Sequence, residues 1–163
     1  NSINSYIPIS NIRDNIFVCD RPLKKGQTRF KLEVTNSIEC YTYVFGQETD
    51  GSGYTLFPYT PKHSPYCGIT GTRLFPAKQS MQPDQAGNRD VFAIVVSKKP
   101  LDYKEIVASI NKTKGAFSQR IQSVLVDILI DNLNFTAGET FGFKTESNGS
   151  KQAVAMIIEV PKN

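Results

Sequence analysis

The spacing of apolar residues in the first half of the chain predicts strands. Residues 30–35 alternate between apolar and polar side chains, and residues 41–45 alternate between aromatic and β-branched ones. A period of two is typical of a strand with one buried face. An Asp50-Gly51 turn follows, and the next apolar segment ends at Pro58. Residues 39–58 are therefore predicted to form a hairpin.

Apolar runs predict further strands. They cover residues 16–19, 91–96 and 153–160, and the second has the pattern of a central strand covered on both faces. Residues 141–144 alternate between aromatic and other side chains, and Asn148-Gly149 has the composition of a tight hairpin turn. The end of the chain is therefore predicted to return to β structure.

Between these strands the apolar period changes to that of an α-helix. Asp102 and Glu105 have the spacing of a capping box, in which each side chain satisfies a free amide at the start of a helix. A longer stripe at helical spacing follows Gly115 and predicts a second helix whose apolar face packs on the core. Its members are Phe117, Ile121, Val124, Leu125, Ile128 and Leu129.

The order of the elements, strands followed by two helices and then strands, predicts an α+β fold that is mainly β. We expect an antiparallel sheet or β-sandwich with the two inserted helices packed on one side. A chain of 163 residues is long enough for one domain with a sizeable core. We expect residues 1–163 to form a single domain, trimmed from a longer precursor because the sequence begins without methionine.

Residues 58–76 interrupt the strand pattern with four prolines and two glycines, and they are predicted to form a long loop. Prolines reduce the entropy of the unfolded chain, so such a loop can be long and still ordered. Tyrosine and arginine suit recognition of a protein, peptide or glycan, because they offer contact area and directional donors. The alternative is an Ω-like loop that packs on its own sheet. The predicted binding residues are Tyr59, His63, Tyr66 and Arg73.

The charge pattern and the hydropathy narrow the class of partner. The net charge is +4, but the basic residues occur as scattered pairs such as Lys24-Lys25 and Lys98-Lys99. Proteins that bind nucleic acids concentrate their basic residues into a stripe, so no nucleic-acid partner is expected. No apolar run reaches the roughly 18 residues that a membrane-spanning helix needs, so no transmembrane segment is predicted.

The cysteines leave several possibilities open. An odd count allows one disulfide plus one thiol, or three buried thiols, at Cys19, Cys40 and Cys67. Cys67 lies four residues after His63, the single histidine, and the two could serve a cysteine hydrolase. Two members of one flexible loop are poorly organised for catalysis, so the hydrolase is the alternative function and no catalytic residue is expected.

A zinc site is the remaining metal hypothesis. Cys19, Cys40, His63 and Cys67 provide a Cys₃His donor set. Structural zinc normally uses two close pairs of ligands, and here only His63 and Cys67 are close in the sequence. We therefore expect no metal and no other cofactor.

The strand and turn positions of residues 17–101 resemble those of a bacterial family. In the first part of this stretch the matching residues are Gly26, Phe30-Lys31-Leu32-Glu33-Val34-Thr35, Tyr41, Tyr43-Val44-Phe45, Asp50-Gly51 and Leu56-Phe57-Pro58. In the second part they are Pro83-Asp84, Gly87-Asn88-Arg89-Asp90, Ala93-Ile94-Val95-Val96-Ser97 and Pro100-Leu101. With these motifs the chain resembles the family called domain of unknown function 4384. It departs from the family pattern by the long segment between its two Leu-Phe-Pro triplets.

The resemblance implies an accessory module rather than an enzyme. Domains of this family are often attached to caspase-like peptidase or kinase domains, or occur in envelope proteins, and the resemblance provides no catalytic residue. It implies a non-catalytic binding or interaction module of a bacterial envelope or secreted protein. The general character of the sequence also resembles that of secreted Bacteroides-like proteins. We therefore expect a periplasmic, cell-envelope or extracellular location.

Overall fold

The structure is a computed structural model that describes residues 5–68, 71–131, 133–136, 140, 142–146 and 148–163. The strands in these residues are β1 (Ile9–Arg13), β2 (Ile16–Cys19), β3 (Leu32–Asn36), β4 (Cys40–Gln47), β5 (Gly53–Phe57), β6 (Tyr66–Cys67), β7 (Gly71–Phe75), β8 (Arg89–Ser97), β9 (Phe135–Thr136), β10 (Gly142–Phe143) and β11 (Ala153–Pro161). The helices are α1 (Tyr103–Lys112) and α2 (Phe117–Leu125).

The long apolar runs at 91–96 and 153–160 form the centre of the main sheet. The corresponding strands, β8 and β11, pair antiparallel along their whole length. Most of their apolar side chains are buried, because both faces of these strands are covered. The hairpin predicted at residues 39–58 is also confirmed, since β4 pairs antiparallel with β5.

The remaining strands extend this sheet on both sides. Its order is β1-β2-β11-β8-β4-β5, and β6 pairs with the opposite end of β4. Neighbouring strands are antiparallel except for β11 and β2, which run parallel with Ile157 opposite Ile16. The predicted fold class, α+β and mainly β, is confirmed.

Both helices cover one face of this sheet. α1 is capped by Asp102, whose carboxylate accepts a hydrogen bond from the Glu105 amide at 3.1 Å, as the sequence spacing predicts. Ile110 of α1 and Ile121 of α2 belong to one buried cluster with Tyr43 of β4. Their apolar faces therefore form a core that the helices share with the sheet.

A buried arginine ties the helices to the turn between β4 and β5. The Arg120 guanidinium donates to the Ile110 carbonyl at 3.3 Å and to the Gly51 carbonyl at 2.5 Å. Asn111 completes the attachment, because its side-chain amide both donates to and accepts from the Gly53 backbone. The helical layer is thus fixed to the hairpin by polar contacts as well as by apolar packing.

The second helix is shorter than its apolar stripe predicts. α2 ends at Leu125, and Leu129 instead forms a parallel bridge with Ala153 of β11. This pairing satisfies the Ile130 amide, which donates to the Ala153 carbonyl at 2.9 Å. Leu129 stays buried in the helix-side core, so the spacing predicted its burial correctly and the length of the helix wrongly.

The opposite face of the sheet is covered by short strands from distant parts of the chain. β3 pairs antiparallel with β7, and β9 pairs antiparallel with β10. Phe75 of β7 packs on Phe57 with 4.7 Å between ring centroids, in a buried cluster that includes Phe92 of β8. A second core therefore fills the space between the main sheet and this strand layer.

Two further predictions are wrong for the described residues. Residues 58–76 do not form one long loop, because β6 and β7 lie within them and pair with β4 and β3. The final hairpin differs as well: a tight turn runs from Asn148 to Lys151, but β10 pairs with β9 while β11 pairs with β8 and β2. Phe141, which belongs to that second prediction, lies outside the described residues.

Candidate functional site

Tyr59 and His63 lie together at the start of the 58–76 segment. Their rings meet edge to face with 5.1 Å between centroids. Thr60 fixes the histidine, because its hydroxyl lies 3.0 Å from His63 Nδ1 and its carbonyl accepts from the His63 amide. The Tyr59 hydroxyl accepts a hydrogen bond from the Ala77 amide at 3.0 Å, while 37% of the residue is exposed. Two of the predicted binding residues are thus in contact and held by local bonds.

Tyr66 and Arg73 form a second contacting pair later in the segment. The Arg73 guanidinium donates to the Ser64 carbonyl at 3.2 Å and to the Tyr66 carbonyl, and it lies 5.7 Å from the centroid of the Phe57 ring. The Phe57 ring also touches Tyr59, so it links the two pairs. Arg73 therefore fastens the backbone of the segment in which it lies.

A groove of about 370 Å³ opens beside Tyr59. Its walls are the adjoining ends of β4, β5 and β8 on one side and residues 76–84 on the other. Aromatic and polar side chains line it together, as they do in sites that recognise ligands. The side chains in its walls include Gln47, Glu48, Tyr54, Tyr59, Gln79 and Asp90.

Tyr54 forms part of the groove because Gly46 leaves room for its ring. A Cβ atom at Gly46 would lie 2.4 Å from Tyr54 Cζ, so the missing side chain lets the ring lie across β4. Burial raises the pKa of the Tyr54 hydroxyl, and the charges of Glu48 and Asp90 raise it further. The hydroxyl therefore remains a hydrogen-bond donor at neutral pH.

A buried lysine holds two carboxylates of the groove. Lys162 Nζ donates to Asp84 at 2.5 Å and to Asp90 at 2.6 Å, and its side chain is only 1% exposed. Burial alone would lower the pKa of the Lys162 ammonium, but the hydrogen bonds to the two carboxylates outweigh it and raise this pKa. The bond to Lys162 also lowers the pKa of Asp84. One wall of the groove is thus fixed by ion pairs to the residue that follows β11.

Cys67 and His63 have separate partners. Cys67 is buried, with its sulfur 3.4 Å from Thr42 Oγ1 and 3.8 Å from the Pro65 carbonyl, whereas His63 Nδ1 pairs with Thr60. The hydrolase hypothesis needs hydrogen-bond reach between thiol and imidazole, and neither set of contacts includes the other residue.

The four donors of the hypothetical zinc site do not converge on one position. Across the part of the chain that the structure describes, no three His, Cys, Asp or Glu side chains converge on a position where they could hold a metal ion. Cys19, Cys40, His63 and Cys67 all belong to that part, so the structure does not bring this set together.

Comparisons of the chain with family models, curated proteins and solved structures found no match. The resemblance to the domain of unknown function 4384 family therefore stays a prediction. Neither α1 nor α2, the helices of the described residues, has the length and apolar character needed to cross a membrane.

The sequence predicted a binding role for residues 58–76, which lie at one end of the groove. It did not predict the groove itself. Of the four predicted binding residues, Tyr59 lines it, whereas His63 touches it only through the Tyr59 ring. Asp84 and Asp90 belong to the motifs that carry the family resemblance, but nothing in their spacing indicates a bond to Lys162. The groove is assembled from segments far apart in the sequence, and no local pattern describes it.

Proposed function

We propose that this chain is a non-catalytic binding module that captures a protein or peptide ligand in the groove beside Tyr59. The observation that carries the proposal is the groove, with a volume of about 370 Å³ and walls that contain two tyrosines, several amides and three carboxylates. Binding sites combine aromatic or apolar surface with a few fixed polar groups, and this groove has both.

Three side chains of the groove are held by bonds within the protein. A backbone amide fixes the Tyr59 hydroxyl, and Lys162 bridges Asp84 and Asp90. Side chains that are already ordered lose little conformational entropy on binding, so more of the contact energy appears as affinity. This order supports recognition over a purely architectural role.

The charge of the groove favours a ligand that carries positive charge. Glu48, Asp84 and Asp90 line the walls, and the ammonium of Lys162 balances only part of their charge. Complementary charge speeds encounter and selects between partners. We therefore expect a peptide segment with lysine or arginine to bind more tightly than a neutral or acidic one.

The parent of this module is proposed to be a bacterial envelope or secreted protein. The support is the resemblance of residues 17–101 to a family of accessory domains, which are often attached to domains with another activity. In that setting the module holds a partner, and any chemistry belongs to its neighbours.

Selection from a displayed peptide library tests the proposal. Selected peptides are synthesised, and their Kd is measured by calorimetry with the wild-type protein and with Tyr59→Ala. We expect peptides enriched in lysine and arginine, because their charge is complementary to the groove. Loss of the Tyr59 ring from the groove wall is expected to raise Kd by about tenfold.

Tyr66→Ala is the matched control. Tyr66 lies in the same segment as Tyr59 and is 39% exposed against 37%, but it is outside the groove. We expect this variant to keep the wild-type Kd. Equal losses in both variants would favour the wider surface of Tyr59, His63, Tyr66 and Arg73 instead. A protein that selects no peptide but binds neutral glycans on an array would overturn the peptide assignment.

A further inference from the structure

Cys40 and Cys67 face each other directly across two antiparallel strands. Their Cα atoms are register partners between β4 and β6. Directly opposed residues of an antiparallel pair are about 4.5–5.5 Å apart between Cα atoms, which lies within the roughly 4.4–6.8 Å that a disulfide spans. Opposed side chains also point to the same face of the sheet, so both sulfur atoms lie on one side of it.

The contacts of the two thiols place them in one buried site. Cys67 Sγ lies 3.4 Å from Oγ1 of Thr42, which is two residues after Cys40 and therefore on the same face of β4. Cys67 is also close enough to Cys40 to raise the pKa of the Cys40 thiol. Both are free thiols in this structure, and they are 2% and 4% exposed.

Cys19 is too far away to compete for either partner. It lies on β2, which is separated from β4 by β11 and β8 in the main sheet. Three strand spacings of about 4.8 Å each exceed the roughly 7 Å beyond which Cα atoms cannot be bridged. The topology therefore selects one pairing from the three that the sequence leaves open.

We propose that Cys40 and Cys67 are a disulfide site that fastens the 58–76 segment to the main sheet when the protein folds under oxidising conditions. The bond joins β6 to β4 and closes the stretch of chain that carries Tyr59. This assignment does not depend on the proposed ligand, since it follows from the register of two strands.

A small-molecule disulfide such as oxidised glutathione can serve as the oxidant that forms the Cys40–Cys67 bond. One protein cysteine gives its proton to solvent and attacks a glutathione sulfur, which forms a mixed disulfide and releases one glutathione thiolate. The second cysteine then attacks the protein sulfur of that mixed disulfide, and the second glutathione leaves. Two protein thiols are oxidised, and one glutathione disulfide is reduced to two thiols.

The bond is expected to form before β6 docks on β4. Burial raises the pKa of the Cys40 thiol, and the neighbouring Cys67 raises it further, so little thiolate is present at this site in the folded protein. An exposed cysteine in the unfolded chain has more thiolate and is open to the oxidant. Oxidative refolding is therefore the sensitive experiment.

Refolding of the reduced, denatured protein in a glutathione redox buffer tests the proposal. Free thiols are alkylated after refolding, and the protein is digested without reduction for mass spectrometry. We expect a linked peptide that contains Cys40 and Cys67, and an alkylated Cys19. The oxidised protein is expected to melt about 5–10 °C above the reduced one, because the cross-link restricts the unfolded chain.

Variants in which one of the three cysteines is replaced by serine provide the controls. Cys19→Ser should keep both the linked peptide and the higher Tm, whereas Cys67→Ser should lose both. Peptide mapping of the wild-type protein decides the matter even if Cys67→Ser folds poorly. A link that includes Cys19, or alkylation of all three cysteines after refolding, would overturn the assignment. Neither outcome bears on peptide binding, so the two proposals fail separately.

Discussion

The two faces of the central sheet are covered in different ways. Residues 103–125 cover one face with two amphipathic helices from one continuous stretch of chain. The opposite face is covered by β3, β7, β9 and β10, which come from separate parts of the sequence. A layer assembled from separate segments has seams, and the groove beside Tyr59 lies at such a seam. The proposed binding groove thus lies where segments meet, rather than where a single element covers the core.

Removal of a core ring tests whether the strand-covered face is packed as firmly as the helical one. Phe75 is 1% exposed and contacts Phe57, so Phe75→Ala is expected to lower the free energy of unfolding by about 3–5 kcal/mol. Ile121→Ala on the helical face should cost about 2–5 kcal/mol in the same urea titration. Leu74→Ala, at a position that is 43% exposed, should cost less than about 1 kcal/mol. A similarly small loss for Phe75→Ala would mean that the strand layer is loosely attached.

Lys162→Met tests the ion pairs that hold the groove wall. The substitution removes the ammonium that Asp84 and Asp90 share, so we expect a loss of about 2 kcal/mol in the free energy of unfolding. Lys104→Met, at an exposed position on α1, is the matched control and should change stability by less than about 0.5 kcal/mol. If both variants unfold at the same urea concentration, the ion pairs do not stabilise the wall.

Gly46→Ala is expected to change the shape of the groove with only a small loss in the stability of the fold. The added Cβ would meet the end of the Tyr54 side chain, which can swing away, so we expect a cost of only about 1 kcal/mol. The Kd of selected peptides should nevertheless rise, because the displaced ring changes the groove. Gly68→Ala is the control, since a Cβ there meets nothing within 4 Å. Unchanged affinity in Gly46→Ala would exclude Tyr54 from the binding site.

The smallest expected effect is the pH dependence of the Asp84 contact. Lys162 holds the pKa of Asp84 below its ordinary value of 3.8, so the contact stabilises the fold above that pH and is lost as pH falls through the lowered pKa. Asp84→Asn should cost less than about 1 kcal/mol near neutral pH, because the Asp84 side chain is 62% exposed. In thermal melts the difference from wild type should vanish at the acid end of the pH range. A difference that persists there would assign the effect to another interaction.

The elements that the sequence predicts well are those whose cause is local. β8 is recognisable from a continuous apolar run, and the start of α1 from the spacing of Asp102 and Glu105. β6 and β7 escape prediction because their partners, β4 and β3, lie elsewhere in the chain, and prolines and glycines surround them. The end of α2 depends on pairing between Leu129 and Ala153, which no helical pattern contains.

The candidate site shows the same limit. Tyr59 stands out because aromatic and proline residues cluster around it, and it does line the groove. Lys162 carries no sequence signal, because its burial depends on two carboxylates more than seventy positions away. A polar residue that is buried by distant partners cannot be distinguished from a surface residue by its neighbours in the sequence.

The position of β11 has a consequence for how the protein is made. β11 lies between β2 and β8 in the sheet although it is synthesised after both of them. Until residues 153–161 leave the ribosome, β2 and β8 have no common partner, and the apolar faces that flank the gap remain open to water. We therefore expect a chain that stops before β11 to expose apolar surface and to aggregate or be degraded, rather than to fold as a smaller domain.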